Sequence, residues 1–120
     1  MSEQKPTYST SSSLPQSLDA FRNLPSSSHF ESWQAPEPEH IKALIELSGL
    51  NRRQWAALLG VSYSEKHGST TIRKWCMNKT AKDYREIPFS TWRLMLIYAG
   101  VIDKDSDIVY ASKVTHKAAE

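Results

Sequence analysis

At 120 residues the chain has room for one compact domain with tails and too little for two separate cores, because single domains commonly need roughly 100–150 residues. No run approaches the ~20 consecutive apolar residues of a membrane span, and the opening MSEQKPTYSTSSS lacks the charged and apolar halves of a signal peptide. A cytoplasmic protein with no membrane partner is therefore expected, and its formal net charge of +2 rules out a uniformly polycationic or polyanionic chain.

Residues 1–36 are rich in Ser and Pro and have no sustained apolar period, so they bury too little to offset ordering entropy and read as a flexible N-terminal arm. Phe21, Leu24, Phe30 and Trp33 are the apolar exceptions, placed to dock on the domain or on a partner, with docking in cis the simpler expectation. From residue 38 the pattern turns helical. Ile41, Leu44, Ile45 and Ser48 recur at intervals of three and four, Pro36 and Pro38 precede them and Gly49 follows, which predicts a first helix over residues 39–48.

The second helix has clearer start signals. Asn51 and Gln54 have the spacing of a capping box, and Leu50 with Trp55 that of a hydrophobic staple. Trp55, Leu58 and Leu59 are expected on its buried face, Ala56 and Ala57 leave space for another helix, and Gly60 ends it. Ile72, Trp75 and Cys76 predict a third helix over residues 70–77. Its start is left open by a second capping-box match at Ser62 and Glu65, which Gly68 opposes. A polar, basic loop follows over residues 78–86. Pro88 then suits the first turn of a fourth helix with Trp92, Met95, Leu96 and Ala99 inward, stopped by Gly100. Residues 107–114 alternate weakly, as a short strand or a helix.

The predicted fold is all-α, a compact helix-turn-helix domain of four to five helices over residues 37–102, with a C-terminal extension over 103–120. Its expected core is Ile41, Leu44, Ile45, Trp55, Leu58, Leu59, Ile72, Trp75, Trp92 and Leu96.

Charge is unevenly spread along this framework. Residues 1–50 sum to −3 and residues 86–120 to −1, whereas residues 51–85 carry eight cations against Glu65 and Asp83, for +6. A single-sign patch on the segment that also carries a helix-turn-helix pattern favours a polyanion as partner. With Ile72 and Trp75 turned inward, the third helix leaves Ser69, Thr70, Thr71, Arg73 and Lys74 for DNA. Arg and Lys donate to guanine O6 and N7, and Ser and Thr bond several base edges. Arg52 and Arg53 open the second helix, where cations are mildly unfavourable for the helix dipole and so point to a phosphate ligand. Lys79, Thr80, Lys82 and Arg85, in the loop after the third helix, flank the groove as further phosphate contacts.

The runs LNRRQWAALLGVS, TTIRKW, NKTAKDYREIP and FSTWRLMLIYAGV, in this order, resemble the Xre/Cro-type helix-turn-helix family of phage and plasmid repressors, over about half the chain. The resemblance implies a lambda-repressor-like domain. It places Arg52 at the family's phosphate-binding position, puts Ser69, Thr70, Thr71 and Lys74 where bases are read with Arg73 beside them, and puts Asn78 and Lys79 in the phosphate-gripping loop. Two departures stand out: residues 63–68 lengthen the usual short turn, either as a loop that adds its own contacts through Lys66, a further phosphate ligand, and His67 or as an extra helical turn, and the family's fifth helix is not evident after Gly100.

The reading is a sequence-specific transcriptional regulator of double-stranded DNA. It is expected to be a repressor, since occupancy alone blocks polymerase, and to bind an inverted repeat as a homodimer with half-sites about one helical turn (~10 bp) apart. The dimer surface would come from the fourth helix, residues 101–114 or the arm. One rival is an antitoxin that autoregulates its promoter while residues 1–36 wrap a toxin. Another is a helical protein-interaction module in which Trp33, Trp55, Trp75 and Trp92 serve core and interface. An enzyme is not expected, because no Ser/His/Asp set, carboxylate pair or Gly-rich phosphate loop occurs at useful spacing. The single cysteine, Cys76, and the scattered His29, His40, His67 and His116 give no metal, redox centre or cofactor.

Overall fold

A computed structural model of the chain describes residues 14–119, with side chains as far as Val114. Among the described residues five α-helices follow one another: α1 (Pro38–Ser48), α2 (Arg52–Leu59), α3 (Thr70–Trp75), α4 (Phe89–Tyr98) and α5 (Lys104–Ala119). Among the described residues there is no strand, only one antiparallel bridge between Ser64 and Gly68. No helix among them is long and apolar enough to cross a membrane.

Local chemistry sets the helix ends. Pro38 occupies the first turn of α1, where its missing N–H leaves no hydrogen bond unmade. At α2 the capping box forms in full: the Gln54 amide donates to Asn51 Oδ1 at 2.8 Å, and the Asn51 amide donates to Gln54 Oε1 at 2.9 Å. Gly60 then takes φ of 73°, a left-handed conformation that side chains resist, and the Val61 amide reaches back to the Ala56 carbonyl at 3.1 Å. α3 is short, and Cys76 already lies outside it as its C-cap. The weak alternation over residues 107–114 belongs to α5, whose first turn carries Asp105 and Asp107, acids that suit the positive end of a helix dipole. Of the strand and helix that the sequence leaves open for residues 107–114, the helix is present, and it runs from Lys104 to Ala119.

One core unites α1, α2, α3 and α4. Ile41, Leu44, Ile45, Trp55, Ile72, Trp75, Trp92 and Leu96 are buried as expected, joined by Phe21, Ala56, Ile87, Met95 and Val101, with Leu59 partly buried against them. Leu58 is the exception and corrects the expected face of α2, since it is 42% exposed. α2 packs on α4 through its Trp55 edge, with the Trp55 ring 6.4 Å from that of Tyr98. That rotation takes the small Ala56 inward, which allows close approach, and carries Leu58 out to solvent.

The expected arm is divided. Residues 1–13 lie outside the described residues, whereas residues 14–36 fold onto the domain through three 3-10 turns, Asp19–Asn23, Pro25–Ser27 and Phe30–Ser32. Phe21 is fully buried and lies 6.3 Å from Trp92, and Leu24 and Trp33 pack against the core. Phe30 remains exposed, edge-on to Phe89 at 5.2 Å. Polar contacts add to this: Arg22 Nε donates to the Val101 carbonyl at 2.7 Å, and Trp33 Nε1 to the Ser26 carbonyl at 2.9 Å.

Candidate nucleic-acid interface

The orientation of α3 decides which side chains it offers. Ile72 and Trp75 are buried, so the opposite face carries Thr70 and Arg73, both exposed, flanked by the half-buried Thr71 and Lys74. Arg73 and Lys74 stand in the last turn, where cations also complement the carbonyl end of the helix. Neither makes an ion pair among the described residues, and both remain available to an external acceptor.

Ser69 does not belong to this set. It is only 4% exposed, and its Oγ accepts from the Ile72 amide at 3.2 Å as the N-cap of α3. It therefore starts the helix and is corrected from a base-reading residue to a structural one. The first free amides of a helix need such an acceptor, and Ser next to a helical run signals a cap at least as strongly as a contact.

Arg52 is half-buried at the head of α2, near enough to Cys76, the C-cap of α3, for its charge to act on that thiol. Burial pushes the Cys76 thiol up from its ordinary value, while the nearby cations Arg52 and Lys42 pull it the other way. Lys42, in the acidic first third of the chain, thus joins the cationic region only through the packing of α1, and sequence spacing carries no sign of it. The loop after α3 returns to the same end: the Arg85 amide donates to the Lys74 carbonyl at 3.2 Å. Lys82 is exposed and free of ion pairs among the described residues.

Several expected phosphate ligands are already engaged. Asn78 Oδ1 accepts from the Thr80 amide at 2.9 Å and from Thr80 Oγ1 at 2.8 Å, so this pair shapes its own turn. Arg85 Nη1 donates to the Tyr84 carbonyl at 2.8 Å. Lys79 Nζ lies 3.1 Å from Glu37 Oε2, and that hydrogen bond, with the Glu37 charge, raises its pKa above the ordinary lysine value. Arg53 lies 3.4 Å from Glu65 and holds its guanidinium 5.6 Å over the Tyr63 ring. Lys66 is exposed in the connection between α2 and α3.

The structure therefore brings Thr70, Thr71, Arg73 and Lys74 onto one face, with the returning loop at its far end and Arg52 near enough for its charge to act on the C-cap there. It leaves Ser69 inside and couples Arg53, Asn78, Lys79 and Thr80 to other protein groups. Among the described residues no group of three or more His, Cys, Asp or Glu could hold a metal ion. No family model, no curated protein and no solved structure matches the chain.

Proposed function

We propose that this protein is a sequence-specific double-stranded DNA-binding transcriptional regulator, acting as a repressor and without catalytic activity. The observation that carries the reading is the outward face of α3. Two hydroxyls and two cations that make no ion pair among the described residues stand together there, opposite a face sealed into the core, on the helix that follows a capped α2. Such side chains match the acceptors of a major groove, while Arg52 and Lys82 supply phosphate contacts that add affinity and register. The +6 of residues 51–85 favours a duplex over a neutral protein surface.

A homodimer on an inverted repeat goes with this reading. α5 supports it, because Ile108 and Val109 are exposed there, and a helix with unburied apolar side chains suits a second copy. The test is a titration of the full chain with duplex DNA at several salt concentrations, followed by selection of bound sequences from a random pool. Salt-dependent binding and a two-fold symmetric selected site are expected. A folded sample that associates with no duplex at low salt would overturn the proposal.

A further inference from the structure

The connection between α2 and α3 runs from Gly60 to Ser69, where a helix-turn-helix needs a turn of only about three or four residues. The extra length folds into a small hairpin. The Ser64 amide donates to the Gly68 carbonyl at 3.0 Å, the Gly68 amide donates to the Ser64 carbonyl at 2.8 Å, and the His67 amide donates to Ser64 Oγ at 3.0 Å. Gly68 closes it at φ of 68°, where a side chain would be strained.

Ser62 through His67 are all exposed, so the hairpin adds nothing to the core. Ordering such a segment costs backbone entropy that no burial offsets, and a packing role does not account for it. It is nonetheless tied down. Arg53, from the first turn of α2, places its guanidinium over Tyr63 and beside Glu65. This contact uses the only acid of the hairpin, and Lys66, at its tip, makes no ion pair among the described residues. The hairpin runs directly into Ser69, the cap of α3. In helix-turn-helix proteins the N-terminal residues of the second helix contact base edges, so a projection at that end meets the strand along the rim of the groove.

We infer that the hairpin of residues 63–68 is a second DNA-contacting element, in which Lys66 binds a backbone phosphate beside the groove entered by α3 and Arg53 acts as the positioning residue that holds the hairpin in place. The inference rests on the DNA-binding reading above and reassigns Arg53 from a direct phosphate ligand to a clamp. A guanidinium suits that clamp better than an ammonium, because its planar face stacks on an aromatic ring while its edge meets a carboxylate.

The experiment measures affinity and salt dependence of the full chain on a fluorescent duplex of mixed sequence. Lys66→Ala is expected to weaken binding several-fold and to lower the salt slope by about one unit. Arg53→Ala should do the same, and Arg53→Lys should fail to restore binding although it keeps the charge. In the Lys66→Ala background, Arg53→Ala should have little further effect, since both changes remove the same contact. If wild-type protein binds and Lys66→Ala binds equally well, the hairpin inference is overturned while the DNA-binding reading stands. If Arg53→Lys restores binding, or if the two losses add, Arg53 contacts phosphate itself and the clamp is overturned. If folded wild-type protein binds no duplex, both readings fall together.

Discussion

Arg93 and Asp107 are joined by two hydrogen bonds, Nε to Oδ2 at 2.8 Å and Nη2 to Oδ1 at 2.7 Å. The remaining nitrogen, Nη1, donates to the carbonyls of Ser27 at 2.8 Å and Ser28 at 3.1 Å. One guanidinium on α4 thus fastens both α5 and the docked arm, and it does so from a buried position, 7% exposed. Burying a charge is costly unless it is paired and its donors are met, and here the fork geometry of arginine meets both conditions.

Arg93→Ala should therefore destabilise the domain by roughly 2–4 kcal/mol, somewhat less than a fully enclosed pair because Asp107 keeps partial contact with water. Urea unfolding measures this. The hydrogen bond from Arg93 holds the Asp107 carboxyl below the ordinary carboxylate range, with partial burial opposing and the charges of Arg93 and His29 assisting. The folded-state value is depressed, so its stabilising contribution is complete above the unfolded value of about 3.9 and is lost as pH falls through the lower folded value. Thermal unfolding of the wild type should lose stability below about pH 4 more steeply than that of Asp107→Asn.

The phase of α2 gives a second test. Trp55 is fully enclosed, and Trp55→Ala should cost about 3–5 kcal/mol. Leu58→Ala, on the solvent side, should change stability by no more than about 0.5 kcal/mol. Equal losses in the two variants would contradict the observed rotation of the helix.

Ser69→Ala separates capping from base reading. Loss of the Oγ acceptor for the Ile72 amide should lower stability by about 0.5–2 kcal/mol. The selected DNA sequence should stay the same, and a changed preference would show that Ser69 reaches the groove.

Lys74→Ala should act in the opposite way, leaving stability near wild type and relaxing preference at one base pair by about 1–3 kcal/mol. Binding to the selected site and to its single-base variants measures the difference. An equal loss on every duplex would make Lys74 a phosphate contact.

Lys79 Nζ donates to both Glu37 carboxylate oxygens, at 3.3 and 3.1 Å, so under the proposed function a DNA phosphate would have to displace Glu37 to reach it. Glu37→Gln should tighten binding to all duplexes alike by a few-fold, because an exposed ion pair is weak and easily exchanged. In a Lys79→Ala background that gain should vanish. If it persists, the Glu37 charge acts at long range and not through the pair.

What could be read from the chain alone was whatever depends on near neighbours along it. The capping box of Asn51 and Gln54, the stops at Gly49 and Gly60, and the periodic burial of Ile41, Leu44, Ile45, Trp55, Ile72, Trp75, Trp92 and Leu96 all arise within a few residues. The grouping of Thr70, Thr71, Arg73 and Lys74 on the outer side of α3 follows from the same periodicity. The helical identity of α5 did not, because its apolar positions are mostly exposed and leave no clean stripe.

Tertiary structure decided the matters in which partners lie far apart in the chain. Leu58 and Ala56 are both compatible with an inward face of an eight-residue helix, and only the position of α4 chooses between them. Arg93 reads as a solvated cation until folding brings Asp107 and the carbonyls of Ser27 and Ser28 around it. Lys79 and Arg53 count as free charge in the sequence, yet Glu37 and Glu65 meet them in space. Electrostatic pairing and burial depend on distance through space, and a one-dimensional pattern encodes that distance only where the backbone itself is regular.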